Sequence, residues 1–173
     1  GNSAAFREFA WRFTNIVAQA LTGLGKKPSY ELIARYVTNI EPLVIDFYHL
    51  WLDKVAPSNW RDLVQSIEGD ENLLKKVPMG MKSRGRHAIA LLTYAKDHGL
   101  FDPIADGLRS AIEYDKTYFD KLTASLLPLM EKLTSGPVGK LLSPDYDDRS
   151  DHRPVLDWMN VIRESGIVYV GLD

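Results

Sequence analysis

Residues 3–22, SAAFREFAWRFTNIVAQALT, carry the pattern that decides the fold class. Apolar residues recur there at intervals of three, four and seven positions, which is the spacing of one face of an α-helix. Ser3 stands at the place of a helix N-cap, and Gly23 and Gly25 follow where such a helix should stop. The stretch therefore predicts an amphipathic helix with an apolar face made of Phe6, Phe9, Ala10, Phe13, Val17, Ala20 and Leu21.

Helix signals continue through the next fifty residues. Ser29 predicts the cap of a second helix that runs to about Thr38. Pro42 suits the first position of a third helix, because a proline there gives up a backbone donor that the helix does not use. Ser58 predicts the cap of a fourth helix that reaches Gly69.

The second half of the chain begins with a short helical piece at residues 71–77, ENLLKKV, followed by the irregular stretch PMGMKSRGR. Residues 87–98, HAIALLTYAKDH, predict a further helix that Gly99 ends. His98 is interpreted as a C-terminal helix residue, which the helix dipole favours.

Asp102 and Pro103 predict the cap and the first turn of a long helical region that extends to about Leu133. Pro128 lies inside that region and has no backbone N–H to donate. A kink or break is therefore expected near residues 124–128.

The C-terminal residues follow a different pattern. Residues 134–154 predict a loop, residues 155–165 a helix, and residues 168–170 a β-strand between two glycines. A single strand cannot satisfy its own backbone N–H and C=O groups. The predicted fold is all-α: a compact bundle of about seven or eight helices over 1–135, then a loop–helix–strand tail over 136–173 that would rejoin the sheet of a parent α/β protein.

Composition limits the possible functions. The chain has 173 residues, of which 45% are hydrophobic and 25% charged, as expected of one globular domain. A net charge of −2 excludes a broadly basic surface, so any contact with nucleic acid needs a local patch. The absence of cysteine excludes disulfides, zinc–thiolate sites and thiol nucleophiles. The most apolar segment, PLVIDFYHLWL at 42–52, is too short to span a bilayer.

One segment is locally basic. Five cations and no acidic residue lie between positions 75 and 86, and Gly80 and Gly85 predict mobility and close backbone access, which would suit a phosphate chain. A solvated loop that precedes an ordinary helix is the alternative interpretation. The candidate DNA-binding residues are Lys75, Lys76, Lys82, Arg84 and Arg86.

Other groups that could carry chemistry are interpreted as structural. The four histidines, His49, His87, His98 and His152, show none of the spacings typical of metal ligands on one helix. No glycine-rich loop is followed by Lys-Ser or Lys-Thr, so the residues predict no phosphate-binding loop. Core packing is the preferred interpretation of the aromatic residues Trp11, Tyr36, Trp51 and Trp60.

Two stretches resemble a known family. FREFAWRFTNIVAQAL at 6–21 and PVLDWMNVIRESGIVYVGLD at 154–173 resemble the TraD/TraG-type coupling proteins of conjugative elements, the DNA-pump ATPases of type IV secretion. The resemblance extends over essentially the whole chain. It implies an all-α domain inserted in a RecA-like nucleotide-binding domain, so that the final strand would pair within the parent sheet.

The resemblance also implies a function. Such a domain lies in the cytoplasm, without membrane contact of its own, near the channel mouth of a hexameric motor anchored to the bacterial inner membrane. Its implied role is recognition of a relaxase or of a relaxosome accessory protein, and local contact with single-stranded DNA is the alternative. The family's Walker residues match nothing in this chain, so no catalytic residue is expected here. ATP and Mg²⁺ are expected as cofactors of the parent protein only.

Overall fold

A computed structural model of the chain describes residues 2–114 and 116–135. These ranges contain seven α-helices, two 3₁₀-helices and no β-strand, which confirms the predicted all-α class. The predicted loop, helix and strand over 136–173 lie outside the described residues. The α-helices are α1 (Asn2–Gly23), α2 (Tyr30–Thr38), α3 (Glu41–Val55), α4 (Trp60–Glu68), α5 (Arg86–Asp97), α6 (Pro103–Ile112) and α7 (Lys116–Ser135).

The described chain divides into two compact units. The first unit contains residues up to Thr38, with α1 and α2, together with the part of α7 from Asp120 onward. The second unit runs from Asn39 to Phe119 and contains α3 to α6.

In the first unit α1 packs against α2 along the predicted apolar face. The buried residues of that face are Ala10, Phe13, Val17, Ala20 and Leu21, while Phe9 is half-buried and the Phe6 side chain lies outside the described part. The predicted cap of α2 is confirmed, because Ser29 Oγ accepts a hydrogen bond from the Leu32 backbone N–H at 3.1 Å.

In the second unit α5 is the central helix, with contacts to both α3 and α4. All its residues from Ala88 to Leu92 are buried, as are Tyr94 and Ala95. Helix α3 also packs against α6, and the Tyr48 hydroxyl donates to the Ala105 backbone carbonyl at 2.8 Å across that contact.

Two of the predicted helix ends in this unit are confirmed. Asp102 Oδ2 accepts hydrogen bonds from the backbone N–H groups of Ile104 and Ala105, both at 2.9 Å, so it caps α6. His98 follows the last residue of α5, with its Nδ1 2.9 Å from the Tyr94 carbonyl oxygen. Gly99 then takes a φ of +62°, a conformation that favours glycine.

The predicted cap at Ser58 is wrong. Helix α4 begins at Trp60, and neither Ser58 nor Asn59 donates or accepts a side-chain capping bond there. Its first turn is stabilised instead by the backbone bond from Trp60 N–H to the Pro57 carbonyl at 3.0 Å. The indole Nε1–H of Trp60 adds a bond to Asp53 Oδ1, also at 3.0 Å.

Of the predicted kink or break near Pro128, the break is wrong, because α7 continues from Lys116 to Ser135, and the kink stays a prediction. Pro128 and Ala124 are both exposed, so water can solvate the carbonyl that the proline leaves without a donor. The helical region is interrupted earlier, after Ile112, where α6 ends.

Candidate functional site

The predicted basic segment, residues 75–86, lies in the second unit. With the two leucines before it, the segment forms two 3₁₀ turns, Leu73–Lys76 and Met79–Met81, and the side chains of Leu73 and Met81 are buried. Neither of its two glycines has a positive φ. Gly85 precedes α5, and its backbone N–H donates to both carboxylate oxygens of Glu41, at 3.2 and 3.3 Å. Gly85 is therefore in contact with α3 through its backbone N–H.

Arg84 is one of the five candidate DNA-binding residues, and it is buried, with 7% of its surface exposed. Its Nε donates to the Ile112 carbonyl at 3.2 Å, and its Nη2 donates to the Tyr114 carbonyl at 3.4 Å. The guanidinium also lies 5.4 Å from the centre of the Phe119 ring. Arg84 thus satisfies carbonyl groups at the C-terminus of α6, which a helix leaves without intrahelical donors.

Arg86 and Lys76 contact the end of α4. The Arg86 guanidinium donates to the Glu68 carbonyl at 2.7 and 3.0 Å and to the Asp70 carbonyl at 2.7 Å. Lys76 Nζ lies 3.5 Å from Asp70 Oδ2 in an exposed ion pair. The Asn72 backbone N–H, which donates to this carboxylate, and the nearby Lys76 ammonium lower the pKa of Asp70.

Lys75 and Lys82 are exposed, and neither forms an ion pair with a described residue. Met79 stands between them in sequence with 77% of its surface exposed. Of the five cations, two therefore remain without a bond to the described parts of the chain. DNA binding by this segment stays a prediction.

A second feature of the same unit is a cleft that we call the histidine cleft. It has a volume of about 320 Å³ and lies among α3, α4 and α5. Its walls are His49, Trp60, Arg61, Val64, Gln65, Glu68 and His87.

Three of these side chains form a hydrogen-bonded chain. His49 Nε2 lies 2.8 Å from His87 Nε2, and His87 Nδ1 lies 2.9 Å from Glu68 Oε2. An ionised carboxylate only accepts, so the hydrogen of neutral His87 is assigned to Nδ1 and its Nε2 carries a lone pair. With His87 in that form, His49 donates from its own Nε2. The three side chains form a continuous chain of hydrogen bonds from His49 through His87 to Glu68.

The surroundings favour the neutral form of His49. Burial and the neighbouring His87 ring lower the pKa of His49. The Trp60 ring, 5.6 Å from the His49 ring between centres, contributes to that burial. His49 therefore loses its proton more readily than an exposed histidine.

A bonded cluster on α3 and α4 forms one wall of the cleft. Arg61 donates to both carboxylate oxygens of Asp53, at 2.6 and 3.2 Å, and its guanidinium lies 4.4 Å from the centre of the Trp60 ring. The bonds from Arg61 and from the Trp60 indole lower the pKa of Asp53. Arg61 is thus held at the edge of the cleft.

The sequence did not predict the histidine pair. His49 and His87 are 38 positions apart on different helices, so no local spacing connects them. One available signal was the position of His49 inside the most apolar segment of the chain, where a polar side chain needs a partner. Within the described ranges, no group of three or more histidine, aspartate or glutamate side chains has the arrangement of a metal site. No helix of those ranges combines the length and hydropathy that a membrane crossing requires.

Comparison with known proteins assigns no family, since no protein-family model, curated protein or solved structure matches the chain. The resemblance to conjugative coupling proteins therefore remains a hypothesis based on two stretches. One of them, residues 6–21, lies in α1, and the other, residues 154–173, lies outside the described residues.

Proposed function

We propose that this chain is the substrate-recognition domain of a conjugative coupling protein and binds a relaxase or a relaxosome accessory protein. The two resembling stretches support this proposal, and the all-α fold is the one that the resemblance implies. The domain lies in the cytoplasm beside the channel mouth of a hexameric parent. ATP hydrolysis belongs to the parent, and this chain contributes recognition without catalysis.

The exposure of Met79 is the observation that carries the docking role. Large apolar side chains on an ordered turn, surrounded by polar groups, are typical of anchors in protein interfaces. The 3₁₀ turns hold Met79 in place, and the exposed Lys75 and Lys82 flank it in sequence. The complementary partner surface has an apolar pocket bordered by carboxylates.

Contact with DNA is the second candidate, and it depends chiefly on Lys75 and Lys82, because Lys76 already pairs with Asp70 at 3.5 Å. Arg84 and Arg86 donate to backbone carbonyls, and releasing those bonds would leave polar groups without partners. Two lysines make few phosphate contacts. In DNA binding without sequence preference such contacts supply most of the affinity, so two lysines alone would bind weakly. Protein docking therefore accounts for this surface better than DNA binding does.

The test compares two triple variants in binding to purified relaxase and accessory proteins of the same conjugative element. The first is Lys75→Glu/Met79→Asp/Lys82→Glu, which reverses the charge and removes the apolar anchor of the turn. The control, Lys116→Glu/Lys121→Glu/Ser125→Asp, makes the same change of charge at exposed positions of α7.

All proteins are treated with nuclease, and affinity is measured by biolayer interferometry. We expect the first variant to weaken binding at least tenfold and the control to change it less than twofold. Equal affinity for the two variants would contradict docking through this turn. Loss of wild-type binding after nuclease treatment would favour DNA contact instead.

A further inference from the structure

The bond between His49 and His87 has a limited capacity for protons. In the neutral pair one hydrogen lies between the two Nε2 atoms, which are 2.8 Å apart. A first added proton fits this arrangement, because a cationic imidazole donates from its Nε2 to the lone pair of a neutral one. A second added proton would place a hydrogen on both Nε2 atoms, so that two donors would face each other without an acceptor. The closed pair therefore holds one added proton but not two.

The charges around His87 compensate for one proton. Glu68 on α4 supplies a single carboxylate, and its Oε2 lies 2.9 Å from His87 Nδ1. An opposite charge at this distance favours the cationic form of the pair. Arg86, the neighbouring cation on α5, donates to the Glu68 backbone carbonyl at 2.7 and 3.0 Å. A second proton would add to the positive charge of this region with no further carboxylate bonded to His87 among the described residues.

The groups around His49 oppose its protonation. Burial is the largest cause that lowers the pKa of His49, followed by His87 on α5 and Arg61 on α4. Asp46 and Asp53, on the same helix as His49, act in the opposite direction but do not outweigh these causes. The Asp53 carboxylate is already paired with Arg61 at 2.6 Å. His49 is thus the member of the pair whose own helix gives it little compensation for a positive charge.

We propose that the bond between His49 and His87 is a pH-sensitive link between α3 and α5, closed at neutral pH and opened when the pair takes up its second proton. The side chains of His87 and Glu68 are each 37% exposed and border the cleft of about 320 Å³, so water can reach the rings and solvate them after they separate. Opening removes a bond between residues 38 positions apart. The proposed docking turn uses none of these residues, so the two proposals stand or fall separately.

The direction of the pH effect follows from the number of bound protons. In the unfolded chain both histidines titrate near pH 6.5, so together they bind two protons in acid. The closed pair binds one, and the free energy of unfolding therefore falls as the pH decreases below about 6.5. A difference of one proton changes the unfolding constant by up to about tenfold per pH unit. The fall ends at the pH where the folded chain also takes up the second proton by opening the link.

The first test is urea unfolding of the whole chain at about pH 7.5 and about pH 5.5. His49→Phe keeps a ring beside Trp60 but removes the titrating group. Between these two pH values the unfolding constant of the wild type should rise at least about threefold more than that of His49→Phe. His98→Phe is the matched control, because the described contacts of His98 are with Tyr94 of its own helix end. This control should show the same rise as the wild type.

The second test needs no substitution. In the wild-type chain with ¹⁵N-labelled histidine, NMR detects a coupling between the two Nε2 nuclei that is transmitted through their hydrogen bond. We expect this coupling at neutral pH and its loss by about pH 5, while the amide signals still report a folded chain. Absence of the coupling at neutral pH, its persistence in a folded chain at about pH 5, or an equal rise of the unfolding constant in the wild type and His49→Phe would overturn the proposal.

Discussion

Tyr48 and Tyr94 are both fully buried in the second unit, but their hydroxyls have different surroundings. The Tyr48 hydroxyl donates to the Ala105 carbonyl, and burial raises the pKa of Tyr48 to about 12. The Tyr94 hydroxyl is buried and has no hydrogen-bond partner among the described residues. A buried hydroxyl without a partner costs free energy, whereas a bonded one contributes to stability.

We therefore expect opposite behaviour from two identical substitutions. Tyr48→Phe should lower the free energy of unfolding by about 1–2 kcal/mol, because it removes the buried hydrogen bond to the Ala105 carbonyl. Tyr94→Phe should change it by less than about 0.5 kcal/mol or raise it. Urea unfolding followed by circular dichroism measures both, and an equal loss in the two variants would contradict this account of the tyrosines.

At the residue scale, the sequence predicted the hydrogen bonds between residues that are close to each other in sequence. Ser29 and Asp102 were predicted as helix caps because their acceptors reach N–H groups two or three positions away. The bond between His49 and His87 was not predicted, because it depends on how α3 and α5 pack. Burial of Arg84 was likewise not evident, since its acceptors are backbone carbonyls, which every residue has.

At the scale of the elements, residues 84–86 connect three helices. Arg84 donates to the last carbonyl of α6, the Gly85 N–H to a carboxylate in the first turn of α3, and Arg86 to the last carbonyl of α4. The density of positive charge suggested a phosphate-binding surface, but the side chains of Arg84 and Arg86 donate to carbonyls at helix C-termini. Arginine suits both roles, so composition alone does not distinguish phosphate binding from the capping of helix ends.

The neighbouring cations Arg84 and Lys82 give a matched stability test. Arg84→Ala should reduce the free energy of unfolding by about 2–4 kcal/mol, because it leaves carbonyls at the end of α6 without donors and removes buried packing. Lys82→Ala should change it by less than about 0.5 kcal/mol, as expected of an exposed side chain. Unfolding in guanidinium chloride measures the free energy of unfolding of both variants. Equal values would mean that the bonds of Arg84 do not stabilise the end of α6.

For the whole molecule, periodicity was sufficient to predict the all-α class, because the apolar spacing of α1 recurs in helix after helix. The division near residues 38 and 120 was not predicted, since it depends on which helices pack together and no change of composition accompanies it. The expected domain boundary at residue 136 coincides with the end of the described residues and stays a prediction.

The salt dependence of binding to single-stranded DNA would show whether two or all five of the candidate cations meet phosphates. Each phosphate contact contributes about −0.7 to the slope of the logarithm of the binding constant against the logarithm of the salt concentration. Lys75 and Lys82 alone therefore predict a slope of about −1.4, and all five cations predict about −3.5. Fluorescence anisotropy with a labelled oligonucleotide at several salt concentrations measures it. Lys75→Ala/Lys82→Ala should abolish the binding and Lys116→Ala/Lys121→Ala should preserve it. A slope near −3.5 would show that Arg84 and Arg86 leave their carbonyls to meet the strand.

The junction at residues 84–86 has a consequence for local opening. Its bonds from Arg84 span 28 and 30 positions of sequence, so the end of α6 cannot fray independently of the turn that precedes α5. When several segments lose their hydrogen bonds in one opening event, their amide hydrogens exchange with the same free energy of opening. The amides in the last turns of α4 and α6 and in the first turn of α5 should therefore exchange as one cooperative unit, although long stretches of chain separate them.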